Sequence, residues 1–272
     1  MPAQAAAKPD AFELFGTAVG DAWEESFMSE FSPAVSRQLL PGARLHDFHA
    51  GEIFYRGAHH AEHASLWLVV DGLVRVLMRD QSGRQVTVRY AGTGAVVGLP
   101  AIILAGSGAS GERRTNEWEM LGGAARDAEA IRTTTVLALR PSIFRHVVER
   151  DPAASWTLAR HMVGQLAEAQ QQLAAELFLP VRSRIAAHLL NLAEREGNTF
   201  TVRARHEAIA AAMGSVREVV SREVKRMEHE GLVQRVGGTS GYLELLDTAG
   251  LHRISVRPAD ASRSTRTPVV TV

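Results

Sequence analysis

The chain has no cysteine. That excludes disulfides, thiol redox switches, thiolate-held iron–sulfur clusters and cysteine zinc sites. It also has no apolar run approaching the ~18 residues needed to span a bilayer, so no membrane partner is expected. The opening "MPAQAAAKPDAFELFG" lacks the charged and apolar regions of a secretory signal, and a cytoplasmic location is the expectation. No Ser/His/Asp arrangement and no paired-carboxylate pattern stands out, so no catalytic residues are assigned and a non-enzyme is expected. Aromatic residues make up only 6 % and net charge is zero.

That neutrality conceals an asymmetry: Lys and Arg against Asp and Glu leave −4 over residues 1–180 and +4 over residues 181–272. Two modules with different partners are implied. With 272 residues and 46 % hydrophobic content, the chain can form two modest domains.

The pattern along the chain divides it further. Residues 1–30 read as an N-terminal extension whose first ten residues, rich in Ala and Pro, are expected to be disordered. "SPAVSRQLL" is a short helix with Ser32 as N-cap and Pro33 at N1, and it closes at Pro41-Gly42. From Leu45 to Leu139, short apolar runs ("GEIFYRG", "SLWLVVDGLVRVLM", "QVTVRYAG", "AVVGLPAII", "TTTVLALR") are separated by turn residues, including Asp71-Gly72 and Ser82-Gly83. Val74, Val76 and Met78 share one strand face and Arg75 the other. This is a jelly-roll-like antiparallel β-roll, residues 31–150, interrupted by a Gly-, Ser- and charge-rich excursion at Gly106–Arg126.

Asp151 and Pro152 start a long helix, residues 151–180, which ends at Pro180. Leu158, Met162, Leu166, Ala169, Leu173 and Leu177 form an apolar stripe roughly 40 Å long. A helix from a second subunit is the favoured cover for it, making a homodimer; packing within the subunit is the alternative.

Residues 181–257 form the second module, and residues 258–272 a polar, unstructured tail. "VRSRIAAHLLNLAERE" is an amphipathic helix, "TFTVRA" a strand and "RHEAIAAAMG" a short helix turning at Gly214. "SVREVVSREVKRMEHEG" is the next helix, and "LVQRVGGTSGYLELL" a hairpin turning at Gly237–Gly241. Helix, tight turn, helix and hairpin make a winged helix-turn-helix, so the fold class is α+β. Val216, Val220, Val224 and Met227 form the packing stripe of the second helix. The opposite flank carries Arg217, Glu218, Ser221, Arg222 and Lys225. Such a helix fits the DNA major groove, about 12 Å wide. Arg217 and Arg222 can donate to guanine, Glu218 can accept from cytosine N4, and Ser221 can reach a base or phosphate. Arg205, His206, Lys225 and Arg235 are candidate backbone contacts. A salt-bridged solvent face is the rival reading of the same residues.

Two other signals carry less. His59, His60 and His63 cluster in "RGAHHAEHASL" with no complementary ligand, so a solvated loop is favoured and no metal residue is assigned. "GTGAVVG" lacks the dinucleotide-binding glycine spacing.

These motifs together resemble the Crp/Fnr superfamily of bacterial transcription regulators over roughly Leu45 to Ser255. "GSVREVVSREVKRMEHEGLV" resembles that family's recognition helix, with its Arg-Glu-x-x-(Ser/Gly)-Arg motif. "FHAGEIFYRG", "LWLVVDGLVRVL" and "GTGAVVGLPAII" resemble its cyclic-nucleotide-binding-type β-roll. The resemblance implies an effector-modulated homodimer on a palindromic site with a TGTGA- or TTGAT-like core, and RNA polymerase as a candidate partner. It places the effector pocket near Gly98, Leu99, Arg126, Ala169 and Gln170.

This region departs from the cyclic-AMP-binding pattern. Leu99 stands where such members have Glu, no Ser or Thr follows Arg126, and Ala169-Gln170 replaces a Thr-Ser pair. Cyclic AMP is therefore not expected to bind in the usual manner, an iron–sulfur cluster is excluded, and an unknown small-molecule effector is left open. The rival function is a haem- or small-molecule-binding β-roll sensor whose DNA contact is secondary.

Overall fold

Leu66–Asp71 and Val74–Arg79 belong to different sheets and do not pair, so the chain crosses from one sheet to the other at Gly72 and closes no hairpin there. The Gly72 φ of +106° suits a residue without a side chain, and an added Cβ would lie 2.7 Å from the Thr134 backbone. The computed structural model describes residues 16–56, 66–79, 85–105, 125–237 and 242–255. The chain divides into two units, Met1–Gln170 and Gln171–Val272.

The first unit begins with α1 (Thr17–Glu25), a 3-10 turn (Phe27–Glu30) and α2 (Pro33–Leu39). Ser32 caps α2 as expected, its side chain accepting from the Val35 N–H. Eight strands follow: β1 (Arg44–Phe48), β2 (Ile53–Arg56), β3 (Leu66–Asp71), β4 (Val74–Arg79), β5 (Gln85–Ala91), β6 (Val96–Val97), β7 (Ala125–Ala130) and β8 (Thr134–Leu139). They form two antiparallel sheets, ordered β1-β8-β3-β6 and β2-β7-β4-β5. Trp67, Val69, Val74, Val76, Ala91, Val97, Ala128 and Val136 fill the space between the sheets. The opposite face of β3 and β8 (Leu66, Leu68, Val70, Leu137, Leu139) packs under helices. This is the expected β-roll, and the alternation read at Val74, Arg75 and Val76 holds. Arg75 lies on the other face of β4, where it is still buried, and it bonds Thr87 at 2.8 Å and pairs with Glu129 at 3.3 Å. Burial on the same face pushes the Tyr90 hydroxyl up to about 12.

Several expectations need correction. Residues 17–30 are no mere extension: Val19, Ala22, Trp23 and Met28 belong to the β-roll core. "AVVGLPAII" is a two-residue strand followed by α3 (Leu99–Ala105), not one strand. Residues 141–150, given no element from sequence, form a helix, α4 (Pro141–Arg150), that buries Phe144, Val147 and Val148. The first ten residues, the Ser82-Gly83 turn, the histidine cluster, residues 106–124 of the excursion, residues 238–241 of the wing turn and the tail from 258 lie outside the described residues.

Helix α5 (Pro152–Phe178) runs for 27 residues. Asp151 caps it by accepting from the Ala153 and Ala154 N–H groups at 2.9 and 3.0 Å. Its first turns pack on their own unit. Leu158 is buried with Phe144, Val148 and Ala154, and Met162 packs against the same cluster. These two residues, expected on an inter-subunit stripe, are thus committed to the β-roll core. The apolar residues left exposed include Trp156, Val163, Leu166, Leu173 and Leu177. With Ala159 and Gln170 these five recur alternately at three and four residues, a heptad spacing.

In the second unit, α6 (Val181–Leu192) is followed by β9 (Glu194–Glu196) and β10 (Thr199–Arg203). Next come α7 (His206–Ala212), α8 (Arg217–His229), β11 (Val233–Arg235), β12 (Tyr242–Leu245) and α9 (Thr248–Ser255). The sheet order is β11-β12-β10-β9, all antiparallel. The helix read through Glu196 stops at Leu192 because residues 194–196 pair with β10. One core joins the elements: Ile185, Leu189, Val202, Ile209, Val220, Val224, Met227, Leu243 and Leu251.

Candidate nucleic-acid interface

The turn between α7 and α8 sets the geometry. Gly214 has φ of +59°, and the Ser215 N–H reaches back to the Ala210 carbonyl at 2.9 Å. A Cβ on Gly214 would meet nothing within 4 Å, so the requirement is the positive φ and not close packing. Ile209 and Ala210 on α7 then pack with Val220 and Val224 on α8.

This packing sorts the faces of α8. Val220, Val224 and Met227 are fully buried. Val216, read as part of that stripe, is instead the exposed N-cap residue. The other face carries Arg217, Glu218, Ser221, Arg222, Lys225, Arg226, His229 and Glu230 around one open concavity. Arg217, Glu218, Arg222 and Lys225 are exposed and Ser221 is half-buried. The four base-reading candidates therefore share one outward surface on a rigid helix. Arg217 makes an ion pair with Glu207 of α7, Nε to Oε1 at 2.8 Å. Arg222 and Lys225 make no ion pair among the described residues.

The candidate backbone contacts divide. Arg205 is exposed at the N-cap of α7. Lys225 continues the exposed face of α8. Arg235 on the wing strand β11 pairs with Glu228 at 3.1 Å. His206 does not fit its expected role, because its side chain is turned into the fold and only 7 % of the residue is accessible. Burial first, and then the charge of Arg235, hold its pKa below the usual 6.5. A neutral, enclosed imidazole is a packing element and not a phosphate ligand.

Sequence reasoning missed the clamp at the far end of α8. Arg182, near the start of α6, makes two hydrogen bonds to the Glu230 carboxylate, one of them 2.8 Å. Arg226 approaches the same carboxylate at 3.3 Å. The Arg182 bond lowers the pKa of Glu230 and raises that of Arg182. Acid and base stand 48 residues apart in the chain, so no local spacing signals the pair.

The candidate effector residues are scattered. Gly98 (φ +103°) links β6 to α3, and Leu99 lies deep in the apolar core. Arg126 sits on β7 opposite Met78. Ala169 and Gln170 are exposed on α5. More suggestive polar groups lie nearby on α5: His161 stacks on Phe27 with centroids 4.1 Å apart, and its Nε2 is 2.8 Å from Gln165 Nε2. Burial and the charge of Arg89 lower the His161 pKa. Among the described residues, no group of three or more His, Asp or Glu side chains could hold a metal ion. No helix among them is long and apolar enough to cross a membrane.

Comparison with known proteins agrees with this architecture. A Crp-like helix-turn-helix domain matches residues 183–254. The cyclic AMP receptor protein of Thermus thermophilus is 30 % identical over 203 residues, covering 75 % of this chain and 83 % of that one. Transcriptional regulator SdrP of the same organism is 28 % identical over 215 residues, covering 76 % and 92 %. A solved CRP/FNR-family transcriptional regulator, also from T. thermophilus, superposes with a TM-score of 0.59 at 26 % identity, covering 78 % of this chain and 98 % of that one. With a Crp-like domain over the winged helix-turn-helix and relatives that match across both the β-roll and that domain, the chain belongs to the Crp/Fnr superfamily of transcription regulators.

Proposed function

We propose that the protein binds a palindromic DNA site as a homodimer, with Arg217, Glu218, Ser221 and Arg222 reading base edges in the major groove. Arg205, Lys225 and Arg235 contact phosphates. The observation that carries this reading is the division of α8 into a fully buried apolar face and an outward polar one. A helix held by one face on a rigid core presents the other at fixed geometry, which base readout needs.

The exposed heptad of α5 supports the homodimer. Its five large apolar side chains leave on the order of 600 Å2 uncovered per chain, so two copies packed together bury about the area of a stable interface. A seam with a 3.5-residue repeat is complementary to itself about a twofold axis. Two recognition helices then meet half-sites about one DNA turn, ~10 base pairs, apart. RNA polymerase is the proposed downstream partner.

A small-molecule effector acts by favouring the dimer orientation that suits DNA. Although several relatives are named for cyclic AMP, the buried Leu99 side chain offers no polar contact to a nucleotide, and binding in that mode is not proposed. His161 and Gln165, beside Arg89, are the polar groups on α5 best placed to report on an effector.

The test is selection of duplexes from a pool randomised over about two helical turns, ~21 base pairs. Enrichment of an inverted repeat is expected, with loss of that preference in Arg222→Ala. Failure to enrich any sequence, with or without candidate small molecules, would remove the proposal.

A further inference from the structure

Arg217 is the base-reading candidate closest to the turn, and an acid from the other helix already engages it. Glu207 lies in the first turn of α7, and its Oε1 is 2.8 Å from Arg217 Nε. Both side chains are more than half exposed, so the pair contributes little to folding. An acidic side chain beside a DNA-facing surface should weaken binding by repelling phosphate. Its presence calls for a compensating use.

A guanidinium on a flexible stem loses entropy when fixed against a base. An anchor at Nε restrains the guanidinium plane and leaves the two Nη groups available to span guanine O6 and N7. We propose that Glu207 is a positioning residue for base readout: it orients Arg217 before DNA arrives, trading some general affinity for discrimination. This inference rests on the DNA-reading role of α8 proposed above and adds a residue outside the recognition helix to it.

The experiment is a double-mutant cycle on the full chain with Glu207→Gln, Arg217→Ala and the combined variant. Binding is measured to the duplex selected by the wild-type protein and to a scrambled duplex of the same composition. Thermal melts verify folding, which the exposure of both residues should preserve.

Glu207→Gln should tighten binding to the scrambled duplex while lowering the selected-to-scrambled ratio about 5- to 10-fold. In the Arg217→Ala background the same change should alter that ratio less than about twofold. A plain surface ion pair predicts that both duplexes bind more tightly by the same factor, which would overturn the proposal. An equal loss of discrimination in the Arg217→Ala background would overturn it too, since Glu207 would then act without Arg217. If Arg217→Ala alone leaves the ratio unchanged, the base-reading role of Arg217 fails first, and the orienting role of Glu207 with it.

Discussion

Leu173 and Leu158 sit on the same helix with opposite surroundings, so truncating each separates association from folding. Leu173 is 59 % exposed, and alanine there deletes about 70 Å2 of apolar surface, on the order of 1.5–2 kcal/mol if a partner covers it. Twofold symmetry doubles the loss to about 3–4 kcal/mol per dimer. Recovered side-chain entropy offsets part of that, leaving an expected rise in the dimer Kd of about 100-fold. Leu158 is 7 % exposed within the β-roll core. Leu158→Ala should cost about 2–4 kcal/mol of folding stability and move the dimer Kd only a few-fold. Sedimentation velocity over a dilution series gives the association constant, and calorimetric melts give the stability. A wild-type protein that sediments as a monomer at all concentrations would refute the reasoning. So would a Leu173→Ala variant that associates as tightly as wild type.

Three further outcomes concern single residues. Arg222→Ala should weaken binding to the selected duplex by about 1–3 kcal/mol and to a scrambled one far less; equal losses in a filter-binding titration would make Arg222 a phosphate contact only. His206 has a folded pKa below its unfolded value of 6.5, so the unfolded chain takes up the proton first. Its contribution is complete above pH 6.5 and is lost as pH falls through 6.5 towards the folded pKa. Urea titrations should therefore show wild type losing more stability than His206→Gln between about pH 7.5 and 5.5. Comparing the two proteins cancels His161, which is shifted in the same direction in both. Gly214→Ala forces a side chain into a positive φ with no clash, so circular-dichroism melts should show a loss of about 1 kcal/mol and no larger collapse.

The recognition helix was legible because two constraints fall on it at once. Val220, Val224 and Met227 keep helical spacing on the core side, and the charged residues fill the remaining arc. Strand β7 was not legible: in "ARDAEA" the core residues Ala128 and Ala130 are small, and the acids Asp127 and Glu129 resemble a loop until Arg79 and Arg75 meet them from β4. Helix α9 carried a readable signal that went unused. Asp247 stands immediately before it and caps it, accepting from the Gly250 N–H at 2.7 Å. His206 also carried one. It lies three, four and seven residues before Ile209, Ala210 and Met213, all buried, so helical spacing alone places it on the core side. Its polarity suggested a surface role that its phase contradicts.

The six residues read as one apolar stripe on α5 divide: Leu158 and Met162 join the β-roll core, while Leu166, Ala169, Leu173 and Leu177 stay exposed. Two repeats are superimposed on the helix. Leu158 and Met162 follow the curvature of the β-roll they cover. Trp156, Ala159, Val163, Leu166, Gln170, Leu173 and Leu177 are exposed and follow a 3.5-residue period, the spacing that the proposed partner helix would need. Choosing residues by hydrophobicity merges the two, because it passes over Ala159 and Gln170 and admits Leu158. Period, rather than polarity, separates them. Gln170 is compatible with that period: if two copies of α5 pack in parallel about a twofold axis as proposed, it meets its own copy and the two amides can satisfy each other.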